Sequence, residues 1–422
     1  MNNPTKKSAL RILALLTAAL LCLVLTGCQK SETAPAATNT PEVTDAPAAT
    51  DAPEAADVPE ATDAPEAETP ADAPAATDAP AASDEGTKAD AASFAGQTLN
   101  VYNWGEYIDM NVIYDFEKAY NVTVKYDRYS SNEDMYTKLL TGASYDVIVP
   151  SDYMIERLIR EKLVQPLDKS VITNLSQLDE GAKSTAAFDP DNTYSVPYLW
   201  QTVGIVYDTT KVDPAKVEEK GWDIFLDPEL DGHVYMYDSE RDSFLVAFKA
   251  LGYSANTENE EEIQAAFKWL QELDKTVHPS YVTDEVIDSM ANGEKWIALV
   301  YSGDAAYILS ENENMGFCNP VQGTNLAVDA MVIPANASNP ALANVFINYI
   351  LDYENAVRIS SEVGYASANA QALKELSSEG GDYYGNAAYL PRVGYEKDEL
   401  LHDNETLRKR LSELWIKVKL HE

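Results

Sequence analysis

An α/β fold in two lobes, each a mainly parallel sheet flanked by helices, is predicted by three observations. Strand-like and helix-like stretches alternate over the first part of the chain beyond residue 96. Apolar runs closed by polar and aromatic turns recur further along. From Phe94 to Glu422 the chain has ordinary apolar content over about 330 residues, enough for two separate cores.

The elements follow in order. "TLNVY" (98–102) has strand propensity, and "DMNVIYDFEKAY" (109–120) sets Val112, Ile113, Phe116, Ala119 and Tyr120 at helical spacing behind Asp109 as N-cap. "NVTVKY" (121–126) alternates as a strand, and "SNEDMYTKLLTG" (131–142) reads as a helix stopped by Gly142. "YDVIVP" (145–150) is a buried strand ended by Pro150, with a helix over 152–161 after it. Such a βαβαβα run implies parallel strands with right-handed crossovers, whose ligands bind beyond the carboxyl ends of the strands.

Those ends carry a distinctive chemistry. Trp104, Glu106 and Tyr107 follow the first strand, and Ser151, Asp152 and Tyr153 the third. Later, "YSVPYLWQTVGIVYD" (194–208) brings Tyr198 and Trp200, "YMYDSERDSF" (235–244) brings Asp238 and Asp242, and "LVYSGDAAY" (299–307) breaks at Ser302, Gly303 and Asp304. Rings and carboxylates together suit an alkyl ammonium ligand. Carboxylates accept its N–H groups, and each aromatic face attracts the cation by roughly 0.5–2 kcal/mol. A slot with aromatic walls and carboxylate ends would select a diamine or polyamine by length as well as charge.

The N-terminal part sets the location. Lys6, Lys7 and Arg11 precede an apolar run from Ile12 to Leu25, flanked as a secretory signal is and short for a membrane span. It closes on "LTGC" (25–28), which resembles the lipobox of bacterial lipoproteins, so Cys28 is expected to be the lipidated mature N-terminus after a signal peptide over 1–27. The stretch over 28–95 is rich in Ala, Pro, Thr and acidic residues, with "TDAP" at 44, 50, 62 and 77. Having little to bury, it is expected to be an extended tether. Export with anchoring on the outer face of the cytoplasmic membrane follows.

The net charge of −38 disfavours nucleic acid as a partner and favours a cation. With Cys22 in the signal and Cys28 lipidated, Cys318 is the lone thiol of the globular part, so neither a disulfide nor a Cys-based metal site is available there.

Several ordered stretches, "YNWGEY", "NEDMYTKL", "YDVIVPSDY", "YSVPYLW", "LGYSANT", "DAMVIPANA" and "VGYASANAQA", resemble the spermidine/putrescine-binding proteins that serve ATP-driven polyamine importers. The resemblance runs from about Thr98 to Asn369. It implies a two-lobed periplasmic-binding-protein fold of type II with two crossovers between lobes, a polyamine ligand in the cleft, and the permease subunits of an ABC transporter as partners. It further implies a monomer without cofactor or metal. By it Trp104 and Tyr107 are aromatic walls, and Ser151 and Tyr153 are contacts from the same lobe. Asp242, Tyr301 and Asp304 are contacts from the hinge or second lobe, with Asp238 and Ser239 in the same acidic stretch; Glu106, Trp200 and Asp329 complete the candidate set. Lobe 1 is expected over 96–204 and about 302–334, lobe 2 over about 205–301 and 335–422. The chain departs from the family pattern at Gly105, at Ser239 (where a carboxylate can occur), at Tyr301 (where Trp is common) and at Ala327 (where an aromatic is usual). A shorter or less charged polyamine, or looser selectivity, is the expected consequence.

Two other classes compete. An enzyme would use Ser151 or Ser302 with His233, His278, His402 or His421, or the pair Glu106 and Asp152, but the chain has no G-x-S-x-G elbow and no histidine motif. A ferric-iron binder on the same fold would use the adjacent Tyr383 and Tyr384 with carboxylates. Neutral sugars or peptides also favour Trp and Tyr, but they leave the carboxylates unexplained.

Overall fold

The computed structural model of the protein describes residues 91–421. The signal peptide, Cys28 and nearly all of the expected tether lie outside the described residues. The last expected tether residues form a short 3-10 turn, Ala91–Phe94, and Phe94 packs against the core.

The predicted alternation is present. β1 (Thr98–Trp104) leads to the helix Met110–Tyr120, whose cap Asp109 accepts a hydrogen bond from the Asn111 N–H and which ends at Asn121 in the left-handed conformation (φ 50°). β2 (Thr123–Tyr129) leads to the helix Asn132–Leu140, capped by Ser131. β3 is only Val147–Ile148, closed by Pro150, which has no N–H to offer a ladder. The helix Asp152–Arg160 follows.

β4 (Ser195–Asp208) is the spine of the molecule, and every one of its residues is buried. Along Ser195–Thr202 it runs antiparallel to β9 (Leu326–Val332), which joins the parallel set β2–β1–β3. From Val203 onward it runs antiparallel to β7 (Ile297–Tyr301) and β8 (Met315–Cys318). β7 in turn is parallel to β5 (Val234–Tyr237), and β5 to β6 (Ser280–Val282). The sheet order is therefore β2–β1–β3–β9–β4–β7–β5–β6, with β10 (Ala366–Ser367) also on β4. Each end is a three-stranded parallel set, and β4 serves both as a shared edge. This gives two lobes joined by β4 and by the 319–325 connection between β8 and β9.

Helices pack by lobe. Met110–Tyr120 meets Pro340–Ile350 and Tyr353–Val363 in the first, where the Phe116 and Phe346 rings meet edge to face at 5.1 Å. Glu240–Ala250, Glu260–Val277 and Glu405–Lys419 pack together in the second. Pairing thus divides the chain differently from the expected boundaries. The helix Ser302–Glu311 and β8 attach to β7 and the second half of β4, whereas residues 340–367 return to the first lobe through the Pro340–Ile350 and Tyr353–Val363 helices and β10. Strand propensity announces that a strand exists; it does not name its partner. Among the described residues no helix is long and apolar enough to cross a membrane.

Candidate functional site

The turns after β1, β3, β5 and β7 converge, together with β9 and residues on β4, around a cavity of about 530 Å³. That lies within the roughly 300–1,000 Å³ typical of small-molecule sites. Its position beyond the carboxyl ends of parallel strands is the one predicted from the alternation.

The first lobe contributes a fixed aromatic wall. Trp104, the last residue of β1, donates its indole N–H to the Val149 carbonyl (2.9 Å), and its ring lies 4.6 Å from that of Tyr129. Tyr107 accepts from the Tyr198 hydroxyl at its backbone carbonyl (2.7 Å) and donates its own hydroxyl to Asp329 Oδ2 (2.5 Å). After β3, the Asn132 amide donates to Ser151 Oγ (3.1 Å) and to the Tyr153 hydroxyl (3.0 Å). Asp152 accepts from the Tyr153 N–H at 2.7 Å through Oδ1.

The second lobe repeats the pairing of tyrosine with carboxylate. Tyr301 donates to Asp242 Oδ2 at 2.7 Å and stacks on Tyr237 at 4.5 Å. The Tyr237 hydroxyl accepts from the Tyr301 N–H (3.0 Å) and donates to Asp304 Oδ2 (3.2 Å). Asp304 Oδ1 accepts from Tyr365 at 2.8 Å. Each of Asp329, Asp242 and Asp304 is thus oriented by at least one phenol.

These carboxylates are short of positive charge. Nine acidic side chains and two arginines line the cavity. Some of the acids are compensated outside it: Glu106 by Arg128 (3.2 Å) and Asp238 by Lys419 (2.6 Å). Of the inner ones, Asp152 and Asp242 feel the charge of Arg241 alone, and Asp304 and Asp329 feel no cation. Burial pushes Asp152 up to about 8, with the charge of Asp329 adding to it. Burial likewise pushes Asp304 up to about 7, Asp329 up to about 6, and Asp242 upward. Asp152 Oδ2, Asp329 Oδ1 and Gln201 Oε1 are buried acceptors on this wall with no hydrogen-bond donor among the described residues. Such groups are costly unless something supplies N–H or O–H donors.

Of the expected residues, Trp104, Glu106, Tyr107, Ser151, Tyr153, Asp238, Ser239, Asp242, Tyr301, Asp304 and Asp329 line the cavity. Ser239 also caps the helix Glu240–Ala250 by accepting from the Asp242 N–H (3.3 Å). Trp200 does not line it. Its ring lies against Gly181, and its N–H donates to the Ser367 carbonyl at 3.2 Å. Side chains alternate across a strand, so the neighbour of Trp200, Gln201, faces the cavity instead, opposite Ala327 of β9. Sequence reasoning did not single out Gln201, Tyr237, Arg241, Asp284 or Tyr365, and it placed Asp152 in the cluster after the third strand without carrying it into the candidate set. Tyr237 and Tyr365 lay inside quoted stretches, as the last residue of β5 and beside β10.

The residues of the competing readings lie elsewhere. None of the described histidines lines the cavity; His233, for instance, stacks on Trp296 at 3.6 Å. Tyr383 is buried against Tyr389 (4.5 Å) while Tyr384 is exposed, so the pair does not converge on one point. Among the described residues no group of three or more His, Cys, Asp or Glu could hold a metal ion.

Residues 111–381 match the family described as bacterial extracellular solute-binding protein. The chain is 34% identical over 284 residues to the spermidine/putrescine-binding periplasmic protein of Escherichia coli, covering 67% of this chain and 80% of that protein. It is 32% identical over 346 residues to a putrescine/cadaverine-binding protein of Pseudomonas aeruginosa, covering 78% and 96%. Its fold is similar to that of a spermidine/putrescine ABC transporter substrate-binding protein from Streptococcus pneumoniae. There the TM-score is 0.66 at 32% identity, over 77% of this chain and 99% of that one.

Proposed function

The chain belongs to the bacterial extracellular solute-binding proteins, and from that premise we propose that it captures a polyamine of the putrescine–spermidine class between its lobes and delivers it to an ABC importer. One observation carries this reading: buried carboxylates oriented by tyrosine hydroxyls, with acceptors at Asp152, Asp329 and Gln201 that no group among the described residues satisfies. A sugar could satisfy such acceptors, but it would leave the carboxylate charge buried and uncompensated. An alkyl diammonium brings N–H donors and positive charge together. Its methylenes fit against Trp104 and the tyrosine rings, which also attract the cation. The relatives' names support the same class of ligand.

The mechanism is capture by closure. Asp329 and Tyr107 belong to the first lobe, Asp242, Tyr301 and Asp304 to the second, so one ligand touching both sets stabilises the arrangement in which the lobes meet. No chemical step is assigned to the ligand. The "LTGC" motif supports lipidation at Cys28, and the acidic tether would let the binding lobes reach on the order of 150–200 Å from the membrane.

A thermal-shift series tests the reading. Putrescine, cadaverine, spermidine and spermine are compared with glucose, glutamate and a neutral dipeptide. The melting temperature should rise with polyamines alone; a rise with the neutral compounds alone would contradict it.

A further inference from the structure

The cavity's two arginines have different fates. Arg408 is tied to Asp403, to which its Nη1 donates at 2.6 Å. Arg241, near the start of the second-lobe helix Glu240–Ala250, has no hydrogen bond or ion pair among the described residues; its guanidinium carbon lies 3.6 Å over the ring of Tyr153 in the first lobe. At that spacing the guanidinium is in contact with the ring, and no second group fits between them. The contact therefore fills an aromatic face on the cavity wall with a cation that belongs to the protein.

The consequence is an asymmetric cavity. The positive charge of Arg241 reaches Asp152, Asp242 and Glu240. Asp304 faces Tyr365, Tyr237 and the further negative charge of Asp284, and Asp329 faces Tyr107 and Ser151. Asp152, Asp242 and Glu240 thus share a resident cation, which reaches neither Asp304 nor Asp329.

We propose that Arg241 is a specificity-determining residue that sets ligand charge and length, holding the Tyr153 face so that the cavity takes a diamine and disfavours a triamine. This rests on the polyamine reading above. Two ammonium groups can use Asp329 and Asp304, where no guanidinium stands. A third ammonium on a longer chain has to approach the Tyr153 end, where it meets a like charge already stacked on the ring. Arginine suits this role better than lysine, since its planar head covers the ring and carries its charge at any accessible pH.

Equilibrium dialysis of labelled putrescine and spermidine tests it on the wild-type chain, Arg241→Gln and Arg241→Met. The two variants both remove the charge but differ in how much of the ring they still cover. The wild type should favour putrescine, and both variants should shift the putrescine-to-spermidine affinity ratio toward spermidine by about tenfold, as expected for removing one nearby like charge. A ratio within about twofold of wild type in the folded variants, or a wild type that prefers spermidine, would overturn the inference while leaving the polyamine reading intact. Failure of the wild type to retain either amine would overturn that reading, and this inference with it.

Discussion

Tyr107 and Asp329 meet across the first lobe: the phenol on the turn after β1 donates to Oδ2 of the carboxylate on β9 at 2.5 Å, leaving Oδ1 buried without a donor among the described residues. The bond fixes one oxygen, and Asp329 itself lines the cavity. Asp329→Asn is expected to weaken polyamine binding by about 1.5–3 kcal/mol, the usual worth of a hydrogen bond to a charged group. Tyr107→Phe leaves Oδ2 unsatisfied as well. It should lower the stability of the ligand-free protein by about 1–3 kcal/mol in urea denaturation, besides weakening binding. Wild-type binding by Asp329→Asn would remove Asp329 from the site.

The pH dependence follows from burial. Asp152, Asp304 and Asp329, pushed up to about 8, 7 and 6, hold protons in the folded protein that the unfolded chain releases near the ordinary value of 3.8. The folded state therefore binds more protons above that value, and the stability these groups contribute, full below it, is lost as pH rises through 6 to 8. The melting temperature of the ligand-free protein should fall between pH 5 and pH 9, less steeply above pH 7 in Asp152→Asn. Polyamine affinity should rise over the same window as the carboxylates ionise. A melting temperature that climbs across it would contradict the assignment.

Gly303 should be intolerant of any side chain. A Cβ there would lie 2.1 Å from the Tyr365 ring, whose hydroxyl holds Asp304. Gly303→Ala has to move that ring, at a cost of about 1–3 kcal/mol for overpacking. A loss of affinity larger than the loss of stability, measured by titration and urea denaturation, would show that Tyr365 orients the carboxylate. Unchanged affinity would show that it does not.

Trp104 and Trp200 should separate cleanly. Trp200→Ala empties a buried site against Gly181 and is expected to cost about 3–5 kcal/mol of stability, with polyamine preference unchanged in the folded protein. Trp104→Ala opens the cavity wall, so its main effect should be on binding. The reverse pattern would restore Trp200 to the candidate set.

That pair also marks where the sequence stops being informative. The ends of β1, β3, β5 and β7 were legible because an apolar run gives way there to polar and aromatic residues, and these turns brought Trp104, Tyr107, Ser151, Asp242 and Asp304 to one cavity. β4 gave no such contrast. All its residues are buried, so hydropathy could not say which parity faces the cavity, and Trp200 was chosen over Gln201. The division into lobes was obscured by the same strand, which pairs with β9 in one half and with β7 and β8 in the other. Arg241 was hidden for another reason: its contact with Tyr153 joins residues far apart in the chain and needs the lobes brought together.

On the proposed function, the carboxylates of Asp304 and Asp329 receive the ammonium groups of a polyamine. Calorimetric titration of the wild-type chain with putrescine and spermidine at pH 7, repeated in buffers of different ionisation enthalpy, tests it most directly. The account predicts saturable binding at one site with net proton release, because the ligand draws the raised carboxylates into their charged form. Binding without proton release would contradict the role given to these carboxylates, and no binding of either amine would contradict the polyamine reading itself.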